Sequence, residues 1–278
     1  MKRFWFFFFT AILFMPVIYG QSLQTVWQTG RVLKVPESVL YVSQTGLIYV
    51  SNINGKPAEK NSKGFIALLD PKGLVVNLHW ATGLNAPKGM AIKGNHLLVS
   101  DIDRLAEIDL YTGKIIRFVS FPGARFLNDV VVGPGGKIYV TDTQLGAVFV
   151  MKKWKPEIWK KDPLLKGANG LAVENDSLLI GCQGHLLKAD PKTGKLKIVA
   201  RVPHGIDGLV PLGNGKYVVS DWSGEIRLIL PDGVQKVLSN TTDEQINAAD
   251  LGFIPQKKIL LVPTFFDNRV VARKLTGL

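Results

Sequence analysis

The sequence of 278 residues predicts an all-β fold, a six-bladed β-propeller with four antiparallel strands per blade. Three observations predict it. A strand-turn-strand pattern recurs six times at steps of roughly 40 residues, the period of a four-stranded blade. Gly, Pro and Asp clusters fall where hairpins between those strands would turn. The last copy is one strand short, and a strand-like segment left over near the N-terminus can complete it.

Taken in order, Lys2 and Arg3 precede an uncharged run from Phe4 to Met15, followed by Pro16 and the small residues Gly20 and Ser22. That layout reads as a signal peptide over residues 1–22, so the chain is expected to be exported and then periplasmic or secreted. The alternative is an uncleaved anchor running to Tyr19. Residues 23–278 are expected to form one propeller domain, opening with the strand-like "LQTVWQTGRVL" (Leu23–Leu33).

The six copies begin with "ESVLYVSQTGLIYVSNI" at Glu37 and "KGMAIKGNHLLVSDI" at Lys88. "NDVVVGPGGKIYVTDT" follows at Asn128, then "NGLAVENDSLLIGCQ" at Asn169 and "DGLVPLGNGKYVVSDW" at Asp207. "DLGFIPQKKILLVPTF" from Asp250 is the loosest copy. A polar insertion, Asn52–Gly64, lengthens the first unit. "DPKG" (Asp70–Gly73), "YTG" (Tyr111–Gly113), "PKTG" (Pro191–Gly194) and "PDG" (Pro231–Gly233) supply outer hairpins. Asp101, Asp142 and Asp221 recur at the ends of second strands, where turn capping explains them.

Composition narrows the function. Hydrophobic residues at 46% can build a core, and a single cysteine, Cys182, makes an internal disulfide impossible. A formal charge of +12 on an exported protein suits an anionic cell surface better than nucleic acid. "MKKWKPEIWKK" (Met151–Lys161) reads as an outer strand whose lysines block edge pairing. "GPGGK" (Gly133–Lys137) lacks the following helix that a phosphate loop requires, so it reads as a hairpin turn.

In a propeller the inner strands run along a central channel, so the six starting residues gather at one mouth. The expected ring is Glu37, Lys88, Asn128, Asn169, Asp207 and Asp250, five of which offer side-chain oxygen. Asp129, by strand alternation, is expected to face away from the channel. Glu37, Asn128, Asn169 and Asp207 form an all-oxygen set suited to Ca²⁺, with Mg²⁺ or Mn²⁺ as alternatives, and unlike the His/Cys sites of Zn²⁺. Of the four histidines, only His204 stands close in sequence to a ring residue.

The motifs "PESVLY" (Pro36–Tyr41), "LNDVVV" (Leu127–Val132), "ANGLAV" (Ala168–Val173) and "IDGLVP" (Ile206–Pro211) resemble those of the regucalcin/gluconolactonase family of six-bladed propellers, which includes luciferin-regenerating proteins. That resemblance implies one divalent cation held by Glu37, Asn128, Asn169 and Asp207, and hydrolysis of a lactone. The cation would polarise the carbonyl and activate a water, with Asp207 as general base. Lys88 would bind an acidic substrate or stabilise the oxyanion; pairing with Asp250 or plain exposure are the alternatives. Two residues before the second-motif Asn the family carries a substrate-binding Arg; here that place is Phe126, with Arg125 one further back. The expected partner is a small-molecule substrate, and the expected state a monomer. Two other functions fit the same fold: a non-catalytic ligand- or protein-binding propeller, and a strictosidine-synthase-like lyase.

Overall fold

The computed structural model of the chain describes Met1 and residues 20–277. The expected signal peptide therefore lies almost wholly outside the described residues. Among those described, no helix is long and apolar enough to cross a membrane.

The architecture is a six-bladed β-propeller, built from strands numbered here in chain order. β1 (Ser22–Gln28) stands apart from the sequence of complete blades. Blade 1 contains β2 (Pro36–Val42), β3 (Leu47–Asn52), β4 (Gly64–Leu69) and β5 (Val75–Leu84). Blade 2 contains β6 (Pro87–Lys93), β7 (His96–Asp101), β8 (Arg104–Asp109) and β9 (Ile115–Ser120). Blade 3 contains β10 (Leu127–Val132), β11 (Ile138–Asp142), β12 (Ala147–Lys152) and β13 (Lys155–Lys161). The strands within each of these sheets pair antiparallel in sequence order.

Blade 4 has β14 (Leu171–Glu174), β15 (Ser177–Ala189) and β16 (Leu196–Gly205). The first half of β15 pairs with β14 and the second half with β16. Leu178 and Ile180 face blade 3 before Gly184, whereas Leu187 and Ala189 do so after it. Gly184 at φ 84 marks that switch, so the run serves as both second and third strand. Blade 5 holds β17 (Leu209–Gly213), β18 (Lys216–Ser220), β19 (Glu225–Ile229) and β20 (Gln235–Asn240). Blade 6 holds β21 (Gly252–Ile254), β22 (Ile259–Pro263) and β23 (Val270–Thr276), and β1 pairs with β23 as its outer strand. The ring is closed by joining the two ends of the chain in one sheet.

The apolar runs follow from this geometry. Inner and middle strands are covered on both faces, so they carry continuous hydrophobic residues. Leu97 and Val99 pack toward blade 1, while Leu98 between them packs toward blade 3. Repeated around the ring, this yields an apolar layer at each blade interface. The outer hairpins turn where expected, and Asp70 accepts the backbone N–H groups of Lys72 and Leu74 at 2.8 and 2.9 Å. "GPGGK" is a tight turn with Gly135 and Gly136 at positive φ. Cys182 is a fully buried thiol, and burial pushes it up to about 12.

Candidate metal centre at the channel mouth

The capping aspartates fix where the ring residues stand. Asp101 accepts the N–H groups of Asn85 (3.0 Å) and Ala86 (2.8 Å), just ahead of Lys88. Asp142 accepts those of Arg125 (2.6 Å) and Phe126 (3.2 Å), just ahead of Asn128. In blades 2 and 3 the inner strand is thereby tied to the end of the second strand, whereas Asp221 in blade 5 accepts from Ser223 N at 2.7 Å in its own turn. Second-strand hydroxyls make the next link. Thr141 Oγ1 accepts from Asp129 N at 2.9 Å and donates to Asn169 O at 2.8 Å, joining blade 3 to blade 4. Ser220 Oγ does the same between Gly208 N and Ala249 O, both at 2.8 Å.

The glycines after Asn169 and Asp207 belong to this crowding rather than to turns. A Cβ on Gly170 would clash with Asp207 O, and one on Gly208 with Leu251 N. Neighbouring inner strands meet backbone to backbone there, which only Gly permits.

Five of the six ring residues line one cavity of about 200 Å³: Glu37, Lys88, Asn128, Asn169 and Asp207. Asn169 Nδ2 donates to Asp207 Oδ1 at 2.9 Å, and Asn128 Nδ2 donates to Thr143 Oγ1 at 3.1 Å. Both amides thus spend their NH₂ groups on neighbours. Glu37 Oε2 and Asn169 Oδ1 are buried and have no hydrogen-bond partner among the described residues. Such orphaned acceptors are costly unless something positive meets them.

The electrostatics point the same way. Burial raises Glu37 well above the usual carboxylate range, with Asp207 and Asp250 adding to the shift and Lys88 opposing it. Burial, then Asp250, pushes Asp207 up to about 8, against the hydrogen bond from Asn169. Two acids here resist ionisation, and a bound cation would remove that penalty. Among the described residues no three His, Cys, Asp or Glu side chains group as a metal site, so any cation must use the amide oxygens as well.

Lys88 is 1% exposed and pairs with neither Asp250 nor solvent. Its Nζ donates to Pro57 O at 2.9 Å and Ala86 O at 3.0 Å, and lies 4.4 Å from the centre of the Phe126 ring. Burial lowers its pKa, while Glu37 and Asp101 oppose the change.

Two expected placements are corrected. Asp250 is not a mouth residue. Ser220 Oγ bonds Ala249 O as Thr141 bonds Asn169 O, so Ala249 is the blade 6 counterpart of Asn169 and Asp250 lies one position deeper. There it lines a second channel cavity of about 290 Å³, accepting from Ser38 Oγ at 2.5 Å. Asp129 lines that same cavity rather than facing away, because a register irregularity between Leu127 and Val130 breaks the alternation. Its carboxylate accepts from Val130 N and Leu171 N, both at 2.7 Å. Burial raises Asp129 strongly, with Asp250 adding, and burial brings Asp250 up to about 7. His204 is exposed, and no described histidine lines the mouth.

The walls of the mouth were missed: Ile53, Pro57, Thr143, Trp222 and Phe265 join Phe126. A signal existed, since Ile53 and Thr143 follow the polar residue that ends a second strand, and Trp222 and Phe265 follow the polar residue just beyond theirs. Arg125 is exposed and does not line the cavity.

Fold and site together define a six-bladed propeller with an oxygen-lined cavity at one end of its channel. No protein-family model matches the chain, and no curated protein does either. Solved structures of similar fold include a catalytically inactive variant of virginiamycin B lyase from Staphylococcus aureus with quinupristin, at 14% identity and TM-score 0.65, covering 92% of this chain and 100% of that one. A gluconolactonase candidate matches at 17% identity and TM-score 0.63, over 92% and 93% of the two chains. The nidogen/laminin complex matches at 15% identity and TM-score 0.65, over 79% and 84%. At these identities the likeness establishes the fold alone.

Proposed function

We propose that the protein is an exported, divalent-cation-dependent hydrolase that opens a lactone or similar cyclic ester, as the gluconolactonase resemblance implies. The observation that carries this reading is the pair of buried, unpartnered oxygens, Glu37 Oε2 and Asn169 Oδ1, within a set of four oxygen-bearing side chains. Glu37, Asn128, Asn169 and Asp207 would hold the ion, and an all-oxygen donor set favours Ca²⁺. When bound, the cation supplies Lewis-acid polarisation of the ester carbonyl and a more acidic water.

The chain's own groups do the rest. Asp207 takes the proton from the attacking water, and Asn169 Nδ2 keeps its carboxylate oriented. Lys88 has two of its three donors engaged by Pro57 O and Ala86 O, so one N–H remains for the carbonyl oxygen as negative charge develops. The aromatic side chains of Phe126, Trp222 and Phe265 flank the reacting face.

Metal analysis of purified protein tests the site. Near-stoichiometric Ca²⁺ is expected in the wild type, and Asp207→Ala or Asn169→Ala should lose most of it. Wild-type protein holding no more metal than the variants would refute the centre. Titrating released acid from a panel of lactones tests the reaction, and inactivity on all of them with metal bound would refute the hydrolase.

A further inference from the structure

The walls of the cavity carry information that the metal ligands do not. Its floor is polar, but Ile53, Pro57, Phe126, Trp222 and Phe265 surround the entrance. Phe126 lines the cavity, whereas the neighbouring Arg125 is exposed and does not reach it. Lys88, the cation of the ring, already gives two of its three N–H groups to backbone carbonyls, so the one that remains cannot clamp a carboxylate with two hydrogen bonds.

The aromatic wall is held in place and partly open. Trp222 meets Phe265 edge to face with centroids 5.4 Å apart, and Phe266 at 5.9 Å. Its carbonyl accepts from Asn247 Nδ2 at 3.0 Å. Phe265 is buried at φ 46, an unfavourable backbone for a bulky residue, and its ring packs with Ile53, Ala86, Ile102 and Ala249. Trp222 remains 43% exposed and Phe266 61%, so apolar surface faces the space above the site. From Trp222 and Thr143 a groove of about 310 Å³ continues past Gly167 and Gln183 over blades 4 and 5. The 200 Å³ cavity alone is smaller than the roughly 300 to 1,000 Å³ of typical ligand pockets, and it shares Thr143, Asn169, Asp207 and Trp222 with that groove, so a substituent on a bound ring has room along it.

We infer that this site takes a cyclic ester bearing an apolar alkyl or aryl substituent and no carboxylate, with the ring over Asp207 and the substituent against Trp222. This rests on the hydrolase reading for the ester, but the apolar selectivity stands on the walls alone. Polyhydroxylated lactones would leave their hydroxyls unpaired against Ile53, Phe126 and Phe265, which costs affinity.

Equilibrium binding of lactams, whose amide resists hydrolysis far better than the ester of a lactone, separates the two readings. Calorimetry with Ca²⁺ present would compare a hexyl- or phenyl-substituted lactam with a polyhydroxylated lactam of the same ring size. The apolar ligand should bind at least about tenfold more tightly. Trp222→Ala should weaken it about tenfold, whereas Trp222→Phe, which keeps an aromatic face, should retain most of the affinity. Equal or tighter binding of the polyhydroxylated lactam, unchanged binding by Trp222→Ala, or no binding of either lactam would overturn the inference. Apolar selectivity without turnover of the matching lactone would uphold it while removing the hydrolase.

Discussion

Glu37 and Asp207 are acids kept in a place that resists their charge, and this has a measurable sign. Folded Asp207 titrates at about 8 and Asp250 at about 7, whereas unfolded aspartates titrate near about 3.9. Between those values the folded state holds protons that the unfolded state has released, so stability of the metal-free protein falls as pH rises through this window. The midpoint of thermal unfolding in EDTA should therefore be lower at pH 8 than at pH 6. Excess Ca²⁺ should shrink the difference by favouring the ionised acids. A metal-free midpoint that is flat or rises over this range would contradict the arrangement.

At the scale of the element, each ring residue depends on the second strand behind it. Asp142→Ala removes acceptors from the N–H groups of Arg125, Phe126 and Leu145. The loss should cost about 1 to 3 kcal/mol in urea unfolding. It should also weaken Ca²⁺ binding, because Asn128 then loses its anchored entrance; unchanged binding would mean that the cap does not position the ligand. The repeat that reveals these strands is visible in the sequence because buried propeller strands must be apolar and their hairpins need Gly, Pro or Asp. The strands of blade 3, its hairpin turns and the capping role of Asp101 and Asp142 all follow from that pattern. What does not follow is a one-residue register. Asp250 reads as a ring member because "ADLG" offers an acid close to the expected place, yet the bond from Ser220 to Ala249 sets the true level. Asp129 escapes the reading because alternation presumes a regular ladder, and β10 is irregular there. Trp222 and Phe265 were legible only through a second column of the repeat, since each one alone reads as an ordinary apolar residue.

For the whole molecule, stability rests on closure. β1 covers the edge of β23, and without it blade 6 would expose a row of unpaired backbone groups. A chain beginning at Thr29 should unfold at lower urea and self-associate in light scattering. An unchanged midpoint with a monodisperse monomer would show that β1 is dispensable. The mouth should suffer too, because Ile53, Phe265 and Ala249 form one cluster across the join between blades 6 and 1. The formal charge of +12 should make retention on anionic matrices salt-dependent.

The join of β1 to β23 also sets a schedule. Ser22 and Thr276 are hydrogen-bonded across 254 positions of sequence, so the contact that seals the ring unites the earliest described strand with the last described one. Five blades are built from strands that neighbour one another in the chain, whereas the sixth needs two distant segments to meet. Until they do, the molecule is an open arc with two adhesive edges, and the closing step carries the largest loop-entropy cost of the pathway. The channel mouth, and any cation bound there, is complete only after that step.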